Sequence, residues 1–335
     1  MSAVSDSDIR AALRGEGLID ESDEMVVAPM IGGVSSEIWK VEAGGRVFCV
    51  KQALARLRVE AEWCAPVERN RFEVLWNQIA ARVAPGSAPR VRCDDDERMF
   101  FIMDYLDPGS HELWKKKLME GRADSRDAAN VGHALSRIHS AVAGDADVAR
   151  QFPRTDIFYD IRLEPYLLAT GRRHRELAPR LEALCRTTAR TRLTLIHGDV
   201  SPKNILIGPH GPVFLDAECA SIGDPAFDIA FCLNHMLLKC LWRPDAAESY
   251  LGCFDALAEA YLSGVEWEER DMLEERAAAL LPALFLARVD GKSPVEYITQ
   301  EWDRDKIRRC ASGLITRPPA RLATITDAWR RELGQ

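Results

Sequence analysis

The sequence predicts an α+β protein with two lobes: a small lobe formed by an antiparallel sheet and one helix, and a larger, mainly helical lobe. Short apolar runs separated by glycine-rich or acidic turns fill residues 25–103, which is typical of antiparallel strands. Longer segments with apolar residues at helical spacing fill most of the remainder. The 335 residues are enough for two hydrophobic cores. We therefore expect the lobes to span residues 1–103 and 104–335.

The composition is that of an ordinary enzyme, with 47% apolar and 29% charged residues. The net charge of −8 argues against nucleic acid as a partner. Nine cysteines without a Cys-x-x-Cys pair are typical of buried thiols in a reducing compartment. The N-terminus has no basic and apolar leader, and no apolar run reaches the length of a membrane span. We expect a cytoplasmic protein with no membrane partner; the oligomeric state stays open, with a homodimer among the alternatives.

The first element in order is a short amphipathic helix near residues 8–15, for which Ser7 is the expected cap. Strand, loop, strand, turn and strand follow over residues 25–51. The loop contains two glycines and a serine: Gly32, Gly33 and Ser35. Backbone amides in such a loop can approach a phosphate closely because glycine has no Cβ. An ordinary hairpin turn is the alternative.

Lys51 ends the apolar run of the third predicted strand. A lysine there can reach the α- and β-phosphates of a nucleotide, although a solvated strand end is the alternative. The next predicted helix begins near Arg69, and residues 53–66 before it form a connecting insertion. Four carboxylates compete as the partner of the lysine: Glu60, Glu62, Glu68 and Glu73. Two further strands, near residues 91–93 and 99–103, complete the small lobe.

The most informative stretch runs from residue 196 to residue 228. His197, Asp199 and Asn204 fall in a loop that contains Gly198 and Pro202, and two short apolar runs follow, with a turn at 208–212 between them. This is a hairpin pattern, and it ends at Asp216. The hairpin would bring Asn204 and Asp216 together. An amide and a carboxylate are hard oxygen ligands, which suits Mg²⁺ held jointly with phosphate oxygens.

The spacing His-x-Asp-x-x-x-x-Asn before a hairpin and a second Asp is the arrangement of a phosphoryl-transfer catalytic loop. In that arrangement Asp199 accepts the proton of the attacking hydroxyl, while Asn204 and Asp216 hold the metal. A polar turn between two strands is the alternative. Four matching positions in the right order favour a kinase.

These residues resemble the aminoglycoside phosphotransferase and choline kinase-like family of small-molecule kinases. His197-Gly198-Asp199 has the glycine that this family carries where protein kinases have arginine, and Asp216-Ala217-Glu218 is its Asp-x-Glu form. Gly223-Asp224-Pro225-x-x-Asp228 continues the pattern. Phe227-Asp228-Ile229 and the Asp-x-Glu look nearest to methylthioribose kinases. The resemblance implies a two-lobed, protein-kinase-like fold.

The resemblance also implies roles for individual residues. Lys51 would bind the nucleotide phosphates and pair with Glu73, which the family pattern Arg-x-x-x-Glu places on the adjacent helix. Asp104 and Leu106 would bind adenine through their backbone groups, and Glu218 would support the metal site. Arg288 lies in a segment that contributes acceptor contacts in methylthioribose kinases.

Two further residues are candidates for the acceptor pocket. Arg162 lies on a predicted helix that contains Pro165. The apolar segment 227–242 contains three polar residues that could face the pocket or be buried structurally: Asn234, His235 and Lys239. Of these we name Asn234. His139 is expected to be a structural histidine.

The predicted function is transfer of the γ-phosphoryl group of ATP, with Mg²⁺, to a hydroxyl group of a small molecule. A catalytically silent nucleotide-binding protein is the alternative. Loss of a catalytic or binding residue would have indicated it, but Lys51, Asp199, Asn204 and Asp216 are all present. The Asp-Ala-Glu sequence and the lack of an Ala-Pro-Glu segment argue against a protein kinase. The acceptor stays open between a sugar-like metabolite such as methylthioribose and an aminoglycoside-like compound.

Overall fold

A five-stranded antiparallel sheet forms the small lobe of the protein, whose computed structural model describes residues 4–30, 35–54 and 66–334. The strand order is β1-β2-β3-β5-β4. The elements of this lobe are α1 (Asp6–Gly15), β1 (Met25–Pro29), β2 (Ser36–Ala43), β3 (Arg46–Ala53), α2 (Arg69–Val83), β4 (Val91–Asp95) and β5 (Phe100–Asp104). Gly32, Gly33 and most of the predicted insertion at 53–66 lie outside the described residues.

Helix α1 begins two residues earlier than predicted. Ser5, not Ser7, is the N-cap: its hydroxyl accepts from the Asp8 amide, and the Asp8 carboxylate accepts from the Ser5 amide. This reciprocal pair is a capping box, and it satisfies two backbone donors at once. The apolar face of α1, with Ile9 and Leu13, packs in the small core under the sheet.

The larger lobe is mainly helical, with three short strand pairs at the cleft. Its elements are β6 (Glu112–Leu113), α3 (Trp114–Met119), α4 (Ser125–Val142), α5 (Ala146–Gln151), α6 (Asp156–Phe158), α7 (Ala169–Arg173), α8 (Ala178–Arg190), β7 (Thr194–Ile196), β8 (Ile205–Gly208), β9 (Gly211–Phe214), β10 (Ser221–Gly223), α9 (Pro225–Trp242), α10 (Ala247–Ser263), α11 (Arg270–Asp290), α12 (Glu301–Thr316) and α13 (Ala323–Leu333). The predicted two-lobed α+β fold is confirmed.

Helix α9 is the central helix of the large core and carries buried residues along its whole length. A helix that is apolar on all sides is stable in water only when neighbours cover it, and α10 and α11 pack against it here. Asp224 caps its first turn by accepting from the Ala226 amide. The helix also contacts the loop at 197–204, because the His197 and Gly198 amides donate to its Asp228 carboxylate.

Two prolines lie inside helical segments. Pro282 lacks an amide and, from the sequence alone, would be expected to interrupt its helix, but α11 continues from Arg270 to Asp290 and packs on α9 and α12. Tertiary packing outweighs the missing amide at this position. Pro165 lies in a π-helical segment, Tyr159–Leu168, which joins α6 to α7. Wide π turns of this kind are rare and often occur at functional sites.

Among the described residues, no helix combines the length and the apolar character that crossing a bilayer would require. The lobe boundary between residues 103 and 104 stays a prediction.

Candidate active site

A cleft of about 670 Å³ lies between the sheet and the helical lobe. Strands β2 and β3 and helix α2 line one wall, and the catalytic hairpin, the π-helical segment, α9 and the end of α11 line the other. Because the walls come from both lobes, a ligand in the cleft contacts residues that are far apart in the chain.

Asp199 is at the centre of the cleft and is almost fully buried. Its carboxylate accepts from Asn204 at 2.8 Å and forms ion pairs with Arg162 at 2.8 Å and Lys203 at 3.2 Å. Burial by itself would raise the pKa of Asp199, but the two cations outweigh it and hold the pKa below its usual value. The carboxylate therefore stays ionised at neutral pH and is held in one orientation.

The loop that carries Asp199 is fixed from beneath by Asp228. The two carboxylate oxygens of Asp228 accept hydrogen bonds from the backbone amides of His197 and Gly198, at 2.7 and 2.8 Å. Gly198 has a φ of 77°, and a Cβ there would lie 2.8 Å from the Cβ of Cys219. Only glycine fits this position, which accounts for the Gly in the His-Gly-Asp sequence.

Two histidines near Asp228, one within this loop and one on α4, have contacts that suit a structural role. His197 donates through Nε2 to the Leu215 carbonyl and accepts at Nδ1 from the Asp199 amide, so both nitrogens are satisfied in the neutral form. Burial lowers the pKa of His197, in agreement with a neutral ring. His139 is fully buried and contacts Asp228 and Tyr261.

Lys51 pairs with two carboxylates at the other end of the cleft. Its ammonium lies 2.7 and 2.8 Å from the Glu73 oxygens and also contacts Asp216. The pairing with Glu73 is the one predicted; Glu68 instead lies beside Arg154, and Glu60 and Glu62 are outside the described residues. Burial raises the pKa of Glu73 to about 7 although Lys51 opposes it. One ammonium therefore faces two carboxylates.

Arg69 ties the small lobe to the Asp-x-Glu sequence. Its guanidinium is fully buried and donates to the carboxylate of Glu218 at 2.9 Å. It also donates to the carbonyls of Ser35 at 2.5 Å and Leu54 at 2.6 Å. The sequence pattern placed Arg69 on the helix, but only the structure shows that it connects the loop, the strand and the metal-site candidate.

The fold family implies a divalent metal, and the donor set fits one. The carboxylates of Asp216 and Glu218 and the Oδ1 atom of Asn204 are hard oxygen donors. The Leu215 amide donates to the Asn204 carbonyl at 2.8 Å, which brings Asn204 beside Asp216 as the hairpin predicts. Among the described residues no group of three or more His, Cys, Asp or Glu side chains could hold a metal alone.

The expected adenine-binding segment is only partly compatible with that role. The Asp104 amide donates to the Arg90 carbonyl at 3.0 Å, and its carboxylate pairs with Arg92. Of its backbone groups, only the carbonyl could therefore bond to adenine. Leu106 follows β5 and is half-buried. Ser35 lines the cleft, whereas Gly32 and Gly33 lie outside the described residues.

The candidate acceptor residues separate into two groups. Arg162 and Arg288 line the cleft and are buried. Asn234 is fully buried and donates to the Phe231 carbonyl of its own helix. Its neighbour His235, and not Asn234, is among the described residues that line the cleft. The expectation for Asn234 therefore moves to His235, because one residue along a helix turns the side chain by about 100°.

Sequence analysis did not assign Lys115 or Lys203 to the site, although both line the cleft. Lys203 lies four residues after Asp199 in the catalytic loop, a spacing that could have indicated it. Lys115 lies on α3 and pairs with Glu296 after α11, and no local pattern connects these two segments.

The two-lobed fold and the residues around Asp199 define a phosphotransferase of the protein-kinase-like class. A sequence profile of the phosphotransferase enzyme family matches residues 26–273. Because the match covers most of the chain, the protein belongs to this family, and it is a small-molecule kinase. The resemblance stated from the sequence is thereby confirmed.

Individual proteins agree with this assignment. The methylthioribose kinase of Yersinia pseudotuberculosis serotype O:3 (strain YPIII) is 26% identical over an alignment 347 residues long. The alignment covers 93% of this chain and 82% of that protein. A choline/ethanolamine kinase family protein from Mesorhizobium loti has a TM-score of 0.52 at 17% identity, covering 91% and 92% of the two chains. The amicoumacin kinase hAmiN, solved with AMP-PNP, Ca²⁺ and Ami, has a TM-score of 0.55 at 12% identity, covering 95% and 98%. The two structural likenesses show the fold.

Proposed function

We propose that the protein transfers the γ-phosphoryl group of ATP to a hydroxyl group of a small molecule. The observation that carries this proposal is the convergence on one cleft of Asp199, Asn204, Asp216 and the Lys51–Glu73 pair. These residues come from both lobes, and each has the chemistry that phosphoryl transfer requires. The sequence alternatives for the acceptor are a sugar-like metabolite such as methylthioribose and an aminoglycoside-like compound.

Asp199 orients the acceptor hydroxyl and takes its proton late. In a loose phosphoryl-transfer transition state the nucleophile needs little deprotonation, so a weak base is sufficient. The lowered pKa of Asp199 fits that role, since the carboxylate is ionised before the acceptor binds. Arg162, Lys203 and Asn204 hold it in place, so little reorganisation is needed at the moment of transfer.

Lys51 binds the nucleotide phosphates from β3, and Glu73 fixes the ammonium in position. Asn204, Asp216 and Glu218 are the residues that would hold Mg²⁺. When bound, the metal neutralises charge on the phosphate oxygens. Arg69 anchors Glu218 and the Ser35 carbonyl, and so keeps the phosphate-binding parts of both lobes in register.

The test is an ADP-release assay with MgATP and a panel of hydroxylated metabolites and antibiotics. We expect ADP formation that depends on one class of acceptor and a phosphorylated product identified by mass spectrometry. Asp199→Asn is the control, since it keeps the shape of the side chain and removes the charge. Absence of acceptor-dependent ADP formation across the panel, or full activity of the Asn variant, would contradict the proposal.

A further inference from the structure

The two ends of the cleft differ in charge. At the phosphate end, Lys51 faces Glu73 and Asp216, and Glu218 lies beside them. Beyond Asp199, at the end that the acceptor must occupy, the lining is cationic. The charged residues there are Lys115, Arg162, Lys203 and Arg288 as cations, and Asp199 and Glu296 as carboxylates. We call this region the acceptor end.

A further basic side chain lies directly behind the acceptor end. Lys239 follows His235 by one turn of α9, is almost fully buried, and places its ammonium 3.8 Å from the centre of the Tyr297 ring. The two carboxylates do not balance this group of cations. Glu296 is paired with Lys115 and acts on Lys239 only at longer range, and Asp199 is shared between Arg162 and Lys203, so neither carboxylate forms a direct ion pair with Arg288 or Lys239.

Polar atoms at the acceptor end lack partners within the described part of the chain. These atoms are Nε2 of His235 and Nε of Arg288 at the cleft wall, and the hydroxyl of Tyr297, which lies behind the wall beside Lys239. His235 and Arg288 are more than nine-tenths buried, and both line the cleft. Buried polar atoms are nearly always hydrogen-bonded in a working complex, so these atoms point to a group that the acceptor brings with it.

The remaining contacts of Arg288 place its guanidinium firmly. Nη1 donates to the Tyr166 hydroxyl at 2.8 Å and to the Ser293 hydroxyl at 3.1 Å. These contacts hold the side chain at the cleft wall by one of its two Nη atoms, while Nε lacks a partner among the described residues. A guanidinium held in this way is well suited to bind an oxygen anion.

The crowding of cations affects the titration of their neighbours. Burial, followed by the positive charges of Arg288 and Lys239, lowers the pKa of His235 well below its ordinary value. Burial, followed by Lys115, lowers the pKa of Lys239 to about 7. Like charges disfavour one another at short range, and an anion placed among them would relieve that cost.

We propose that the acceptor carries, besides its hydroxyl, an anionic oxygen group, a carboxylate or a phosphate, which binds between Arg288 and His235. This inference rests on the proposed transfer to a hydroxyl group, and it replaces the two acceptor alternatives taken from the sequence, because methylthioribose is neutral and aminoglycosides are cationic. It excludes polycationic aminoglycosides and quaternary amines as preferred acceptors, because the acceptor end would repel them. Neutral sugars could pair with the buried donors through their hydroxyl groups, but they would leave the positive charge of Arg288 without a counter-charge.

The first experiment compares matched acceptors in the ADP-release assay: sugar acids, sugar phosphates, the corresponding neutral sugars and an aminoglycoside. We expect the best anionic acceptor to exceed its neutral counterpart by roughly tenfold or more in kcat/KM, since charge-assisted hydrogen bonds are the strong ones. The sugar acids and sugar phosphates distinguish the two sources of negative charge. A neutral or cationic compound as the best acceptor would overturn the inference while leaving the proposed function intact.

Two variants at the same wall give effects of opposite sign. Arg288→Gln should raise KM for the anionic acceptor by roughly tenfold or more and leave KM for ATP unchanged. Glu296→Gln removes a carboxylate from the same region and should lower KM for that acceptor. Equal changes in the two variants, or a change of Arg288→Gln confined to KM for ATP, would contradict an anion site.

A binding measurement keeps the inference testable without turnover. Thermal unfolding is followed in saturating MgADP with gluconate, glucose 6-phosphate, glucose or kanamycin added at equal concentration and ionic strength. We expect one or both anions to raise Tm in the wild type, and Arg288→Gln to lose that increase while still responding to MgADP. No increase with either anion, or an increase with kanamycin, would overturn the inference.

Discussion

Asp199 combines two properties that oppose each other in an isolated carboxylate, because it is buried and nevertheless ionised. Burial favours the neutral form, whereas Arg162 and Lys203 favour the charged one and prevail. Asn204 completes the arrangement at 2.8 Å. The cost of burying the charge is thus met by neighbours that also set its direction.

Removal of this charge should abolish most of the turnover. Asp199→Asn is expected to lower kcat by roughly 10²- to 10⁴-fold, because the amide can neither accept the proton nor hold the hydroxyl as firmly. Nucleotide affinity, measured by titration calorimetry, should change little. Near-normal turnover on the true acceptor would rule out the assignment.

Asp216 is one of two residues other than glycine with a positive φ in the described part of the chain, at 67°. Such backbone conformations are uncommon and often occur at functional sites. Here the conformation places the carboxylate against Lys51, and the ammonium outweighs burial and lowers the pKa of Asp216. The strain and the ion pair together favour a metal ligand over a turn residue.

Asp216→Ala should therefore weaken binding of MgATP much more than binding of metal-free ATP. We expect a loss of at least about 30-fold with Mg²⁺, the equivalent of about 2 kcal/mol. Fluorescence titrations with Mg²⁺ and with EDTA measure the two affinities. The same loss in both conditions would show that Asp216 acts on the structure alone.

At the scale of elements, β3 and α2 act together to place Lys51. The strand is buried along most of its length and holds the stem of the lysine, while α2 presents Glu73 from a turn that Phe72 and Trp76 anchor in the core. Without the helix, the buried ammonium would lose its main partner in the small lobe. We therefore expect the position of α2 to control nucleotide binding.

Separate replacement of Glu73 and Glu68 by glutamine tests the register of α2. Glu73→Gln should lower kcat/KM for ATP by roughly 10- to 100-fold, since it removes the carboxylate that orients the Lys51 ammonium. Glu68→Gln is the matched control and should be mild, because Glu68 is half-exposed and lies 4.0 Å from Arg154. Steady-state kinetics at varied ATP measure both, and a larger effect of Glu68→Gln would contradict the register.

The end of α11 is held by Asp290. Its carboxylate accepts two hydrogen bonds from Arg308, at 2.8 and 2.9 Å, and contacts Nε2 of His174 at 2.7 Å. Burial would raise the pKa of Asp290, but these partners lower it to about 2. A lowered pKa stabilises the fold above the unfolded value near 4, and this stabilisation is lost as the pH falls towards 2.

We expect Asp290→Asn to lower the free energy of unfolding by about 2 kcal/mol at pH 7. The difference from wild type should shrink as the pH falls from about 5 towards 2, because the carboxylate takes up its proton near pH 4 in the unfolded chain but only near pH 2 in the folded protein. Urea unfolding at several pH values measures both effects. Asp305→Asn removes an exposed partner of the same arginine and should cost about 0.5 kcal/mol or less. A constant difference at all pH values would contradict this ionic role.

For the whole molecule, the cleft is the place where the lobes meet through charged groups. Lys51 of the small lobe contacts Asp216 of the large lobe, and Arg69 contacts Glu218. The protein carries a net charge of −8, yet the acceptor end of its cleft is cationic. Net charge therefore does not report the charge of a site.

A ligand that binds both lobes should stabilise the whole fold. MgADP at 100 times its Kd is expected to add about 2.7 kcal/mol to the free energy of unfolding, seen as a rise in Tm. Lys51→Met should lose most of this effect. Lys40→Met is the control, since Lys40 lies on the adjacent strand and pairs with Glu42 near the surface. An equal response of both variants would contradict a nucleotide site at Lys51.

The sequence by itself determined the fold class and the catalytic hairpin. Asp199, Asn204 and Asp216 lie within 18 residues, and the register of one hairpin relates them, so local spacing was sufficient. The Lys51–Glu73 pair was also predictable, because the family pattern Arg-x-x-x-Glu selects Glu73 from the four carboxylates that follow Lys51. The Ser7 cap was wrong because Ser5, two residues earlier, forms the capping box, and Pro282 does not interrupt α11 because packing outweighs local propensity.

Only the tertiary structure decided the acceptor end of the cleft. Its residues come from α3, the π-helical segment, the catalytic loop, α9 and the end of α11, segments that no local pattern relates. On α9, which is buried on all sides, apolar periodicity cannot show which polar residue faces the cleft, and so Asn234 and His235 were indistinguishable. Their directions are set by the packing of neighbouring helices, and this long-range information is absent from any short stretch of the sequence.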